Sequence, residues 1–319
     1  MRKILIVGAG GQIGSELTSH LRKIYGCQNV VAADIRPTAN ITSEGPFEAF
    51  DILEAHKLAY VVHKYNIDTI FNLVALLSAT GEKNPALAWK INMGALMNTL
   101  EVANIYRCAV FTPSSIGAFG VQTPKDQTPQ DTLMRPSTMY GVCKVTGELM
   151  GDYYFHRFGV DTRSVRFPGI ISNNTLPGGG TTDYAVEVYY EAIRSKTFTC
   201  PVESNTFMDM MYMPDALNAC VSLMEANPAK LIHRNSFNIA SMSFSPEIIF
   251  NEIKKHIPDL KISYDVDPMK QSIADSWPNS LDDTCAREEW GWEPKWNLQT
   301  MTEDMLSVIK AKFDKGILK

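Results

Sequence analysis

Three short stretches carry residues whose types and spacing suit chemistry. In YGVCK, Tyr140 and Lys144 stand one helical turn apart, so both side chains leave the same face. Free tyrosine titrates near about 10, so a tyrosine that takes a proton at neutral pH needs a neighbouring cation. Lys144 supplies one. In GAGGQIG, Gly8, Gly11 and Gly14 follow the apolar run ILIV and precede an amphipathic stretch. A strand, a glycine loop and a helix in that order give a tight turn, close backbone approach and a helix N-terminus aimed at a pyrophosphate. In LPGGGTTDYAVEVYYEAI, a second glycine run from Gly178 to Gly180 opens another helical stretch and adds the hydroxyls of Thr181 and Thr182.

Neither glycines nor Y-x-x-x-K spacing is decisive alone, and context does the sorting. Asp34 ends the second apolar run, where a carboxylate accepts hydrogen bonds from an adenosine ribose and repels a 2′-phosphate. Arg36 lies nearby, but Asp34 holds the nearer position, so the expected cofactor is NAD. The bland alternative is a turn-forming aspartate. A second Y-x-x-x-K pair, Tyr60 and Lys64 in YVVHK, falls on a helix ahead of the third apolar run and reads as a core-facing tyrosine beside a solvated lysine. Tyr140 instead opens a long helix after a run ending in TPSS, and strand C-termini are where open α/β sheets bind ligands.

The elements that must position these groups alternate along the first half of the chain. Strands are predicted at 3–8, 29–35, 68–75, 108–115 and 160–171, with helices at 12–26, 54–66, 85–107 and 139–159. Continuous apolar strands between helices of this length predict a doubly wound α/β fold with a parallel, Rossmann-type sheet. That NAD-binding domain covers 1–172 and is completed by parts of about 201–240. A smaller C-terminal substrate lobe is expected from 173–200 and about 241–319, with the methionine cluster FMDMMYMPD marking the change of rhythm and a helix near 215–227 returning to the sheet.

At 319 residues and 45% hydrophobic, the chain has ample material for a large core. A net charge of −5 without basic runs argues against nucleic acid and anionic membrane as partners. No apolar run approaches the length of a membrane span, and ILIV is too short for a signal peptide. The six cysteines (27, 108, 143, 200, 220 and 285) and six histidines are scattered, without a C-x-x-C or H-E-x-x-H. That pattern suits a reducing, cytoplasmic setting, or a mitochondrial matrix after presequence removal, and predicts no metal site.

The chain resembles the short-chain dehydrogenase/reductases, in their extended, epimerase-like branch. The matching features are Gly8-x-x-Gly11-x-x-Gly14, Asp34, FNLVA at 71–75, Asn92, FTPSSIGAFG at 111–120, Tyr140-x-x-x-Lys144 and RFPG at 166–169. The resemblance implies a catalytic set of Tyr140, Lys144 and Ser115, the serine polarising the substrate oxygen and Ser114 standing beside it as a second donor. The alternative for both serines is a pair of turn caps. It implies NAD contacts from Gly8, Gly11, Gln12, Ile13, Gly14, Asp34, Ile35, Arg36, Asp51, Ile52, Leu73, Ala75, Asn92, Tyr140, Lys144 and Pro168, with Asp51 reaching the adenine amino group.

Nucleotide-sugar epimerases and dehydratases dominate that branch and are the rival reading. Two departures count against them. Pro168 stands where they carry an asparagine, and Met208 where they carry an arginine for the substrate phosphate; a thioether cannot pair with phosphate. RFPGIIS, PGGGTTDYAVEVYYEAI, MMYMPDAL and IADSWPNSLDDTCAREEWGW are similar instead to the short-chain type of L-threonine 3-dehydrogenase. Pro214 departs from that type. The resemblance implies NAD-dependent oxidation of the 3-hydroxyl of L-threonine to 2-amino-3-oxobutanoate, and a homodimer through helices that include 85–107 and 139–159. Ser78, Ser115, Tyr140, Gly180, Thr181 and Thr182 are the expected substrate contacts, with Gly180 to Thr182 receiving the carboxylate. Two alternatives stay open: the second glycine run as a simple hinge with Thr182 or Asp183 capping the helix, and Trp277 as a buried structural residue rather than a pocket wall. A non-catalytic NAD sensor is disfavoured because Tyr140 and Lys144 are both present.

Overall fold

The computed structural model describes residues 1–174 and 180–318. Its central sheet has six parallel strands in the spatial order Phe47–Ala49, Val30–Asp34, Ile4–Val7, Thr69–Asn72, Ala109–Phe111 and Thr162–Arg163. The chain reverses its direction of travel across the sheet beside Ile4–Val7. This switch point opens a crevice at the strand C-termini. Val7 pairs with Ala33 on one side and Asn72 on the other, so Gly8, Asp34 and Leu73 emerge at one level of that edge.

Both faces are covered, as alternation along buried strands requires. Ile4 and Ile6 pack with Leu17 and Leu21 of the helix Gln12–Tyr25 and with Leu223 of the helix Met213–Glu225. Leu5 and Val7 pack with Leu58, Leu96 and Tyr154, from the helices Ala55–Tyr65, Pro85–Tyr106 and Met139–Phe158. The doubly wound reading is what the sheet shows, and Pro214 sits in the first turn of its helix, where a missing N–H costs nothing.

The long strands read from the sequence are broken. The stretch 108–115 leaves the main sheet after Phe111, and Ser114–Ser115 joins a second sheet with Val165–Phe167 and Phe237–Asn238. The stretch 160–171 divides into Thr162–Arg163, Val165–Phe167 and Gly169–Ile171, one strand for each of three sheets. Pro113 and Pro168 mark these exits, because proline has no N–H to continue a ladder. The methionine cluster is also ordered sheet. Met208–Tyr212 is a fully buried strand between Gly169–Ile171 and Met242–Phe244. Met208, Met210 and Tyr212 enter one hydrophobic core with Tyr184, Tyr189, Phe244 and Ile249, whereas Met211 packs in a second with the helix Met213–Glu225. No helix among the described residues is long and apolar enough to cross a membrane.

Candidate active site

The first glycine loop is built for close approach. Gly8 has φ +83°, a conformation open to glycine, and a Cβ there would stand 3.0–3.2 Å from Leu73 and Val74. A Cβ on Gly14 would lie 2.1 Å from the Gly8 carbonyl oxygen, so the helix starts in direct contact with the loop. That helix has neither a side-chain cap nor an acidic residue in its first turn, which leaves its N–H groups and dipole for an anion. Asp34 accepts a hydrogen bond from the Gly10 N–H at 2.9 Å and, through its other oxygen, one from the Arg36 N–H at 3.3 Å. A groove of about 280 Å³ runs beside it, lined by Gly8, Gly11, Asp34, Ile35, Asp51 and Ile52, with Leu73 to Ala75 opposite. These residues fit a dinucleotide: an uncapped helix start for its phosphates, a carboxylate for its ribose and an apolar slot for its base. Asp34→Ala is expected to lower the preference for NAD over NADP by about 10- to 100-fold, the worth of one or two charge-assisted hydrogen bonds. The ratio of kcat/KM for the two cofactors measures it, and an unchanged ratio removes Asp34 from that role.

The loop after Thr69–Asn72 divides this groove from a second cleft of about 170 Å³. Leu73, Val74 and Ala75 line both. Asn92 clamps that loop from the helix Pro85–Tyr106, accepting from the Leu76 N–H at 2.7 Å and donating to the Leu76 carbonyl at 3.2 Å. Its side-chain amide is therefore committed to positioning the dividing wall.

Ser115, Tyr140 and Lys144 all line the second cleft, together with Gln12, Ile13 and Pro168. Thr138 caps the helix Met139–Phe158 through the Gly141 N–H, fixing where Tyr140 emerges. Pro113 leaves its sheet, and its carbonyl accepts a 2.6 Å hydrogen bond from Lys144 Nζ. The ammonium then sits 5.2 Å from the centre of the Tyr140 ring. Gly117 completes the set, and nothing in the sequence reading assigned it. A Cβ there would meet Tyr140 Cδ1 and Cε1 at 3.1 Å and Ser115 Oγ at 3.5 Å, so its absence lets ring and hydroxyl lie together. The Ser115 oxygen accepts from the Gly117 N–H at 3.1 Å. Ser115 thus caps a turn, and a hydroxyl that accepts still has its own proton to donate.

The Ser114 hydroxyl is engaged elsewhere. It is buried and donates at 2.5 Å to Glu148, which pairs with the buried Arg166 at 2.8 Å. Arg166 also donates to the Gln130 carbonyl and to Asn238. Ser114 also lines the cleft, but its hydroxyl proton is engaged by Glu148, so here it ties the helix Met139–Phe158 to the second sheet.

The far end of the cleft is lined by Ser78, Gly180, Thr181, Thr182 and Trp277. Gly178 and Gly179 lie outside the described residues. The Gly180 N–H already donates to Asp183 at 2.6 Å, so Asp183 closes this turn and that N–H is not offered to a ligand here. The Thr181 hydroxyl differs: it is buried and has no hydrogen-bond partner among the described residues, and so does the Thr112 hydroxyl on the opposite wall. Buried hydroxyls are rarely left so unless a ligand or water completes them. Thr182 packs against Gly169, where a Cβ would stand 2.7 Å from its methyl. Trp277 is both buried and part of the wall, and Lys125 Nζ holds its carbonyl at 3.0 Å. The other tyrosine–lysine pair lines neither cleft: Tyr60 is exposed rather than core-facing, whereas Lys64 is solvent-exposed as expected and pairs with Glu48 at 2.7 Å.

A family model described as the NAD dependent epimerase/dehydratase family matches residues 4–240. An uncharacterised epimerase/dehydratase of Staphylococcus saprophyticus is 54% identical over 314 residues, covering 98% of each chain. A solved L-threonine dehydrogenase from Clostridium difficile is 56% identical, covers 98% of each chain and superposes with a TM-score of 0.96. A monomeric L-threonine 3-dehydrogenase from a metagenome is 42% identical over 97% of this chain and 99% of that one, with a TM-score of 0.93.

Proposed function

The chain belongs to the NAD-dependent epimerase/dehydratase family, and on that premise we propose that it oxidises the 3-hydroxyl of L-threonine to 2-amino-3-oxobutanoate. One observation carries the choice of substrate. Among the described residues lining the catalytic cleft, Lys144 is the only cation, and it belongs to the reacting centre. Met208, at the place where sugar-nucleotide enzymes carry an arginine, is buried in the lobe core. A diphosphate substrate would find no counter-charge, whereas a single carboxylate can be held by hydroxyls. The likeness to solved L-threonine dehydrogenases at 42–56% identity supports the same reading.

In this reading the Thr181 hydroxyl, with Thr182 and Ser78, receives the substrate carboxylate and turns C3 toward Tyr140. The Tyr140 oxygen takes the proton of the 3-hydroxyl. Ser115 donates its hydroxyl proton as a hydrogen bond to the same oxygen while that oxygen becomes a carbonyl. Lys144, held by the Pro113 carbonyl, places positive charge beside the Tyr140 ring, which favours the phenolate form that takes the proton. The Gly8–Gly14 loop, Asp34 and Asp51 would hold NAD in the adjoining groove, where it would supply an acceptor for the C3 hydride. The product is a β-keto acid and loses carbon dioxide readily once released.

NADH formation across 3-hydroxy amino acids tests the proposal. L-Threonine is expected to give the highest kcat/KM, and serine, lacking the methyl group, to fall by about 10- to 200-fold in a cleft walled by Leu77, Ile116 and Trp277. No NADH from any of threonine, allo-threonine and serine would remove the assignment. We also propose a homodimer through the packed helices Pro85–Tyr106 and Met139–Phe158, which leave Trp89, Val142, Leu149 and Tyr153 exposed. Sedimentation as a monomer would end that part.

A further inference from the structure

We propose that His233, Cys285 and Glu289 form a binding site for a borderline divalent cation such as Zn²⁺, outside the catalytic cleft and independent of the reaction. Spacing along the chain hides this grouping, because its ligands come from segments 52 residues apart. Cys285 and Glu289 stand one turn apart on the helix Thr284–Trp290 and so share a face. His233 arrives from the turn before the strand Phe237–Asn238. One donor atom from each lies within 4.8 Å of the others. Thiolate, imidazole and carboxylate are the donor set that zinc takes, at bonds of about 2.0–2.3 Å, which separates donors on one ion by roughly 3.3–3.6 Å.

The surroundings have the features of a supported metal site. One Glu289 oxygen accepts from the backbone N–H groups of Ile232, at 2.5 Å, and His233, at 3.2 Å, which fixes the carboxylate. Its other oxygen is hydrogen-bonded to His233 Nδ1 at 2.5 Å, a contact that a bound ion would replace. The second imidazole nitrogen, Nε2, faces Asp131 at 3.5 Å. A carboxylate on the outer nitrogen of a ligating histidine sets its tautomer and raises its basicity. Among the described residues, neither lysine nor arginine pairs with Glu289 or Asp131, and the His233 ring contacts both. The nearby arginines are engaged elsewhere, Arg287 with Asp283 and Arg234 with Asp161. The cluster therefore gathers carboxylates around a thiol and an imidazole without a lysine or arginine to balance them. An ion here would fasten the helix that follows the Trp277 segment to the second sheet.

The test uses the full chain with Co²⁺ as a spectroscopic probe and Zn²⁺ as competitor. The expected result is one Co²⁺ per chain with a thiolate-to-cobalt charge-transfer band in the near ultraviolet, displaced by Zn²⁺. Cys285→Ser should abolish the band. Glu289→Gln keeps an oxygen for the Ile232 and His233 N–H groups, so the local fold is retained, and should weaken binding by about 10- to 100-fold. Neither variant should change NADH formation in metal-free buffer. A band that never appears, or that survives Cys285→Ser and so reports the exposed Cys27, would overturn the proposal. So would a Glu289→Gln variant that binds cobalt as tightly as the parent.

Discussion

Tyr140→Phe is expected to lower kcat for threonine oxidation by about 10²- to 10⁴-fold, the usual worth of a positioned acid–base group. The substitution removes one oxygen and keeps the ring. That ring rests over Gly117, where a Cβ would meet it at 3.1 Å, so phenylalanine fills the same space and the thermal midpoint should hardly move. The Lys144 ammonium stays bound to the Pro113 carbonyl at 2.6 Å, since that bond does not involve the phenol. NADH binding, read by fluorescence titration, should therefore persist while turnover fails. A variant that still oxidises threonine at the parent rate would show that proton removal runs through another group.

Gly14→Ala is expected to weaken NAD binding by about 10²-fold, the scale associated with misplacing a binding element by 1 Å. The added methyl would sit 2.1 Å from the Gly8 carbonyl oxygen and 2.9 Å from Ala9 Cα. Both are backbone atoms, so no side chain can swing aside. The helix Gln12–Tyr25 must retreat from the loop, and its N–H groups retreat from the phosphates with it. Overpacking of this kind costs about 1–3 kcal/mol, so the thermal midpoint should fall as well. Gly10→Ala is expected to cost less. Its Cβ meets only the Asp34 carboxylate, at 3.1 Å, and a side-chain end can yield. Equal losses in the two variants would mean that crowding of helix against loop is not what sets NAD affinity.

Much of this site was legible before any coordinates, because it depends on local pattern. Glycines between an apolar run and a helix locate a phosphate-binding turn by backbone geometry alone. A tyrosine and a lysine one turn apart share a face wherever the helix lies. What was hidden depends on register and on tertiary contacts. Two adjacent serines look equivalent in a string, and both line the cleft, yet the Ser114 hydroxyl is bound to Glu148 while the Ser115 oxygen accepts from the Gly117 N–H. Gly117 stands two residues beyond Ser115, and only the folded chain brings it beneath Tyr140. The prolines at 113 and 168 were visible, but the three-way division of the strand around Pro168 depends on which sheet each fragment finds. FMDMMYMPD reads as a change of rhythm because methionine carries little strand signal, although the strand Met208–Tyr212 is buried at every position. The short strand Phe47–Ala49 escaped for the opposite reason, being a half-exposed edge with no apolar run.

The central claim is that this cleft takes an amino acid and releases reduced cofactor, whereas a nucleotide-sugar epimerase would return its NAD oxidised at the end of each turnover. Absorbance of NADH, followed with NAD and either L-threonine or UDP-galactose, separates the two directly. Steady NADH formation with L-threonine and none with UDP-galactose is the predicted result. Interconversion of UDP-galactose and UDP-glucose without net NADH, and no response to threonine, would contradict it.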